Sequence, residues 1–393
     1  MNKKLVAVAI AGLLAAPLAQ AQTANVTLYG RANMNMAFVN GAKTDGTNPT
    51  IFRVDSNSSR FGLRGTESLG GGLNAIFQIE NGSINMSSTG GVLGGRDTFV
   101  GLSGGWGKFY MGFFTAPYDD ITAIGANNTN NTGILSQGAL WAQATQEGAG
   151  AVVGNVSGGG GFDNRLSNSI RYDSPTMSGF QFSGQFATSE RSSTVGGAGQ
   201  AAGANNNVTG GPSSNSNIQS YSFRYNNGPF FGMVAYEYHH KIRGQVNSNL
   251  DDTALSIGAQ WQFSSFNIAG KYEWLNYDAT QTTDLKRTFW EISSTILVGA
   301  NGNVYIAYGK ANEGTGSAVA GTRIGQLGKG DNTGASNWQV TYAHALSKRT
   351  SLFAGYVKVN NDSNANYSFG GNGNSVRLGG DPGGFSAGMW HNF

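Results

Sequence analysis

The chain of 393 residues has no cysteine, 7 prolines and 4 histidines, and charged residues make up only 12% of it, against a usual share of about 25%. The missing cysteine excludes disulfides, thiol nucleophiles and Cys-ligated metals. The histidines, His239, His240, His344 and His391, show no ligand spacing with a carboxylate, so no metal or other cofactor is expected. The adjacent pair His239 and His240 reads as an interface or loop feature near a strand end. Nucleic acid is not an expected partner, because the formal charge of +3 falls to about +1 once Lys3 and Lys4 are set aside.

Long apolar runs are also missing. Two lysines precede the apolar stretch 5–18, which ends in Ala19-Gln20-Ala21. This is the layout of a secretory signal peptide cleaved after Ala21, and the stretch is shorter than the ~20 residues of a membrane helix. Domain organisation is then a leader, 1–21, and one unit, 22–393. No later run approaches membrane-helix length, so any membrane span must be made of strands.

Glycine (61 residues) and aromatics (11%) are plentiful, and the aromatics recur with period 2. Phe180, Phe182 and Phe186 oppose Gln181, Ser183 and Gln185, and Leu255, Ile257, Trp261 and Phe263 oppose Ser256, Gln260 and Gln262. Helical periodicity would scatter these side chains, whereas a strand puts each set on one face. Sixteen strands result. Their connections alternate: short at 66–72, 104–107, 174–179, 226–229, 264–265, 299–302 and 345–350, long at about 40–52, 81–95, 115–167, 190–217, 241–251, 278–286, 311–337 and 360–380. Such an up-and-down meander, with both chain ends on the short-turn side, describes a transmembrane β-barrel.

An open sheet in lipid would leave edge N–H and C=O groups unpaired at several kcal/mol each. The last strand, 385–393, must therefore pair with 26–38. It stays two-faced to its end, with Phe385, Ala387, Met389, His391 and Phe393 on the lipid side and only Trp390 breaking the polar side. Tyr236, Tyr238, Trp274, Tyr308 and Trp338 suit the aromatic girdles. The Gly-, Asn-, Ser- and Thr-rich long loops, such as 195–217 and 125–131, read as solvated and mobile. The longest, after the fifth strand, carries apolar stretches at 116–125 and 134–147 and is the expected insert into the lumen.

The pieces Val26-Thr-Leu-Tyr-Gly-Arg31, Ser59-Arg-Phe-Gly-Leu-Arg-Gly-Thr-Glu67, Arg96-Asp-Thr-Phe-Val-Gly-Leu-Ser-Gly104, Asn168-Ser-Ile-Arg-Tyr-Asp-Ser-Pro175 and His391-Asn-Phe393 occur in order at barrel spacing. Together they resemble the Gram-negative porin family of β-proteobacteria over essentially the whole mature chain. The resemblance implies an all-β, 16-stranded antiparallel barrel in the outer membrane with an infolded third loop. It also implies a homotrimer, passive diffusion of small hydrophilic solutes and ions, contact with outer-membrane lipid and lipopolysaccharide, and delivery by the barrel-assembly machinery, which would read the terminal Phe393.

Carried over residue by residue, Arg60, Arg64 and Arg96 match a basic wall cluster, Arg31 a basic position of the first strand, and Arg171 lies near another. Asp119, Asp120 and Glu147 are the candidates on the acidic loop. At Phe113 the chain departs from the family, where a basic residue is common. Parity independently turns Arg31 inward with Thr27, Tyr29 and Asn33, sets Arg60 and Arg64 against Phe61 and Leu63, and sets Arg96 and Thr98 against Phe99. An arginine facing lipid at mid-membrane would cost about 2–4 kcal/mol. Arginines outnumber acids here, so a weak anion preference is expected.

Two other classes compete. An outer-membrane hydrolase could use Ser103 in Gly101-Leu-Ser-Gly-Gly105, but a nucleophile elbow needs a following helix and 106–113 reads as a strand. A secreted β-rich adhesin would hide the aromatic faces in a core.

Overall fold

The computed structural model describes residues 25–40, 47, 49–82, 94–129, 133–136, 140–141, 161–162, 164–188, 217–243, 250–369 and 376–393. The leader with its cleavage point, Glu147 and the loop 195–216 lie outside the described residues. The first half of the sheet comprises β1 (Asn25–Asn40), β2 (Thr50–Ser56), β3 (Arg60–Gly70), β4 (Leu73–Asn81), β5 (Thr98–Gly104), β6 (Gly107–Thr115), β7 (Arg165–Asp173), β8 (Phe180–Thr188) and β9 (Asn217–Asn227). The second half comprises β10 (Phe230–Arg243), β11 (Leu250–Gln262), β12 (Asn267–Asp278), β13 (Asp284–Val298) and β14 (Gly302–Ala311), then β17 (Ala335–Ala345), β18 (Thr350–Asn361) and β19 (Gly383–Asn392). The two-residue strands β15 (Arg323–Ile324) and β16 (Leu327–Gly328) form a separate hairpin in an outer loop. None of the described helices is long and apolar enough to cross a membrane.

β2 and β3 both pair with β1 and make one stave, bent where Ser58 takes φ 52° and Asn57 N–H donates to Asn33 O at 2.8 Å. With that pair counted once, the 17-stranded sheet is a sixteen-stave meander in which every neighbour is antiparallel. It closes through β1 and β19, in register from Arg31 opposite Asn392 to Asn40 opposite Gly383. The last residue adds a further rung: Gly30 N–H donates to Phe393 O and Phe393 N–H to Gly30 O, both at 3.1 Å. A Cβ on Gly30 would fall 2.2 Å from the Phe393 ring, so glycine makes the seat for the terminal aromatic. Closure thus satisfies the edge groups that lipid could not.

The two faces are inverted relative to a soluble sheet. On β1, Leu28 is 63% and Met36 53% exposed, while Asn33 and Asn35 are buried. Phe385, Met389 and Phe393 face outward as parity requires, and Trp390 points inward. Inside the barrel, the loop between β6 and β7 supplies a short 3₁₀ helix, Pro117–Ala123. Its Tyr118 and Ile121, with Ile124, Ile134, Leu135, Leu140, Trp141 and Phe162, form one apolar cluster with inward side chains such as Ala235, Ala254, Ala269 and Tyr277.

Three expectations need correction. Phe99 faces inward, not to lipid: it lies against Tyr110 at 4.7 Å, while Val100 and Leu102 are exposed and Thr98 takes the outward parity. Arg96 sits in a bend before β5 begins, so strand alternation does not carry back to it. The described parts of three loops also make more packing and hydrogen bonds than their composition suggests. Within 125–131, Asn127 and Thr129 are hydrogen bonded and Thr129 is buried. The connections 311–335 and 361–383 interlock, with Arg323 donating to Asn364 O and Asn366 Oδ1, and they bury Leu327, Tyr367 and Phe369. Finally, His239 is neither an interface nor a loop histidine. It is buried on the inner face of β10, bonded to Glu237 at 2.8 Å and stacked on Phe162.

Candidate pore constriction

The inner face of β1 to β5 gathers four of the expected arginines. Arg31 and Arg60 are directly opposite across β1 and β3, and Arg64 lies opposite Thr27. Like charges so placed repel, and one carboxylate moderates them. Glu80, at the end of β4, accepts from Arg96 Nε at 2.5 Å and from Tyr29 O–H at 2.9 Å, and lies 3.8 Å from Arg60. Arg31 donates to Asn392 Oδ1 at 2.9 Å and lies over the Trp390 ring. Arg64 lies 5.0 Å from the centroid of Tyr29. The rings attract both guanidiniums without neutralising them.

Arg171 belongs to a second group at the root of the loop. It bridges Asp173 on its own strand at 2.8 Å and Asp120 on the 3₁₀ helix at 3.1 Å, and donates to Thr115 O. Burial raises the Asp120 carboxyl above the ordinary aspartate range, against the pull of the Arg171 guanidinium. Asp119 lies on the same helical turn and its carbonyl accepts from Thr122 Oγ1. Beside this group Arg165 pairs with Asp97 at 2.7 Å. Phe113 follows the exposed Met111 by two positions and pairs with Thr98, so it sits on the outward parity and not in the wall. Phe114, on the inward parity of Tyr110 and Gly112, lies against Tyr110, and the register shift beside it adds its extra residue on β7.

Across the lumen the loop is clamped to β9, β10, β11 and β12. Tyr118 N–H donates to Ser220 Oγ, and its hydroxyl reaches Glu273 Oε1 at 2.8 Å and Ser256 Oγ at 2.9 Å. Trp141 stacks on the Tyr118 ring with an interplanar angle of 7°. Under the loop lie Arg287 with Glu273 at 2.7 Å and Lys271 with Glu291 at 3.0 Å, all nearly solvent-free. The loop's far end reaches β17, where Gln339 donates to Leu135 O and Thr341 to Asn128 Oδ1. Among the described residues, one side of the barrel is therefore covered by the loop and the arginine side is more open: the Arg60 side chain keeps 25% exposure against 0% for Arg287.

A closed sixteen-stave barrel narrowed by an infolded loop is what the resemblance implied, and a profile of the Gram-negative porin family matches residues 6–365. The chain belongs to that family. It is an outer-membrane porin, a channel for small solutes. Porin relatives include outer membrane porin protein 32 of Delftia acidovorans, 26% identical over 92% of this chain and 90% of that protein. An outer membrane porin of Bordetella pertussis is 29% identical over 90% of this chain and 93% of its own length. Among solved structures, the anion-selective porin from Comamonas acidovorans superposes with a TM-score of 0.72 at 22% identity, covering 94% of this chain and all of that one.

Motif matching pointed to the porin's arginines but passed over Glu80, Asp97, Asp173 and the buried set Glu237, Glu273, Arg287 and Glu291. A signal for Glu80 was present, since it shares the parity of Asn74 and Gln78, opposite Phe77 and Ile79. Among the described residues the main counter-charge of the arginine cluster is thus on the wall, whereas the loop's Asp120 pairs with Arg171 alone among the arginines expected in the wall.

Proposed function

We propose that solutes cross between the infolded loop and the β1 to β5 wall, and that Arg31, Arg60, Arg64 and Arg96 bias this route weakly toward anions. Arg171 with Asp120 and Asp119 marks its loop side; Glu147 belongs to the same reading but lies outside the described residues. The observation that carries it is four guanidiniums on one stretch of wall, of which Arg60 and Arg96 share the carboxylate of Glu80 and Arg31 stands directly opposite Arg60. In the low-dielectric barrel their field is stronger than in water, and salt at about 0.15 M screens it beyond roughly 8 Å. Selectivity should therefore be modest and fall with ionic strength. The anion selectivity of the Comamonas porin supports the same sign.

The experiment is reversal potential in planar bilayers under a salt gradient. Arg60→Gln with Arg96→Gln leaves Glu80 unneutralised, so the potential should move toward cations; an unmoved potential would sink the assignment.

The same reading makes the chain a channel and not a hydrolase, since Ser103 stands near the end of β5 with a tight turn into β6 where an elbow needs a helix. Assembly as a homotrimer is supported by the trimer form of Vibrio cholerae OmpT, whose fold matches with a TM-score of 0.63. A leader cleaved after Ala21 and recognition of Phe393 by the barrel-assembly machinery complete the proposal.

A further inference from the structure

The infolded loop touches the barrel's own closing seam. Residues 133–136 form a tight turn in which Ser136 N–H donates to Gly133 O at 3.1 Å. Among the described residues this turn is the loop's far reach, since Trp141 is already back on Tyr118. The turn lies along one inward row of the sheet. Register aligns Gln339 of β17 with Val357 of β18, Val357 with Gly384 of β19, and Gly384 with Val39 of β1. At one end of the row Gln339 holds Leu135 O at 2.9 Å, and Asn127 donates to the same oxygen. Towards the other end, Val39 and Val357 flank a position with no side chain, and Ile134 fills it. A Cβ on Gly384 would fall 2.8 Å from Ile134 Cδ1, 3.1 Å from Phe38 O and 3.5 Å from Val39 Cγ2. Gly384 does not take a positive φ, so its backbone does not call for glycine; what the missing side chain supplies is room for Ile134. Ile134, Leu135, Val39 and Val357 are all sealed from solvent.

We infer that Ile134 is a positioning residue of the constriction: it fixes the loop to the seam between β19 and β1, so that the width of the opening and the closure of the barrel depend on one contact. The inference rests on reading the loop as a boundary of the solute route. Two features of the seat carry it. First, β1 serves both sides of the lumen, because Ala37 and Val39 in its later half join the apolar cluster under the loop while Arg31 stands in the open wall. The turn therefore ends where covered wall gives way to open wall. Second, the seat is assembled from strands at opposite ends of the chain, Val39 on β1 against Gly384 and Val357 on β19 and β18. Until β19 pairs with β1 the seat is incomplete, so the loop reaches its final position only in a closed barrel. Once seated, Ile134 packs across the seam on its inward face, as Phe393 does over Gly30 on the outward one.

The test reads unitary conductance in planar bilayers and the temperature of heat-modifiable migration on the same proteins. Ile134→Ser puts a hydroxyl in the dry seat and empties most of it. Conductance should rise and no longer hold a single level, and the migration temperature should fall. Gly384→Ala places a methyl against Ile134 Cδ1 and should move both readouts the same way by less. Ile134→Val removes that Cδ1 methyl, so Gly384→Ala with Ile134→Val transfers one methyl from loop to wall and should restore both readouts towards the wild type. Val319→Ser, at a 77% exposed position of another loop, should change neither. Wild-type values in Ile134→Ser, a change in only one readout, an equal change in Val319→Ser, or a double variant no nearer the wild type than Gly384→Ala overturns the inference. Should Ile134→Ser fail to assemble, the single-methyl exchange decides alone. Reversal potential separates the two readings. An unmoved potential in Arg60→Gln with Arg96→Gln refutes the arginine route and leaves the anchor standing, whereas a moved potential beside wild-type behaviour of the Ile134 and Gly384 variants refutes the anchor alone.

Discussion

Two walls of one lumen use the same side-chain chemistry to opposite ends. On β12 and β13 every cation has its own carboxylate, Arg287 with Glu273 and Lys271 with Glu291, and the loop seals them from water. On β1 to β5 Arg60 and Arg96 share the one carboxylate of Glu80, Arg31 and Arg64 lie over the rings of Trp390 and Tyr29, and all four keep some exposure. Buried charge must be paired because an unpaired ion there loses its hydration. Exposed charge can stay unpaired and act on passing ions. The difference teaches that an arginine pointing into a barrel is not thereby part of the pore: coverage by the loop decides.

The contrast is tested first by breaking the covered wall. Glu273→Ala strands Arg287 in a dry site and removes the acceptor of Tyr118, so it should cost about 3–5 kcal/mol, read as a lower temperature for heat-modifiable migration on a gel. Tyr118→Phe removes only the hydroxyl between Glu273 and Ser256 and should cost about 1–3 kcal/mol. Its loosened loop should show as extra conductance substates in single-channel records. Arg64→Ala on the open wall should cost less than about 1 kcal/mol yet move the reversal potential toward cations. Equal destabilisation by Arg64→Ala and Glu273→Ala would erase the contrast.

The smallest effect expected is a pH dependence. Because burial raises the Asp120 carboxyl, falling pH protonates it before an ordinary exposed aspartate. Arg171 then keeps Asp173 alone, the loop root gains positive charge, and anion preference should rise. Asp120→Asn should show the raised preference at neutral pH and lose that part of the pH response.

Faces and closure were legible in the sequence because lipid enforces them. Phe385, Met389 and Phe393 alternate with inward residues, and the missing edge partner of the last strand could only be the first. Glu80 was equally legible by parity, but motif matching does not weigh a residue outside the motif. Phe99 was misplaced because Arg96 was counted as a strand residue when it lies in a bend. The covered wall had no local signature: Tyr118 meets Glu273 across 155 positions of sequence, and nothing in the alternation of β12 distinguishes Glu273 from a pore-lining acid. The packing of 311–335 against 361–369 was hidden for the same reason, since Leu327, Tyr367 and Phe369 are buried only once the barrel brings the loops together.

The seat of Phe393 on Gly30 makes the ring of strands a lock whose two halves are synthesised at opposite ends of the chain. Closing so large a loop costs an entropy that grows only with the logarithm of its length, so distance along the chain is a minor obstacle. Timing is the larger one. Until β19 is in place, β1 has an unpaired edge and Gly30 an empty notch, and the same polar edge would be open to another chain. A barrel built this way is either closed or still exposed at its seam, which makes the pairing of Phe393 with Gly30 the contact that ends the period of risk.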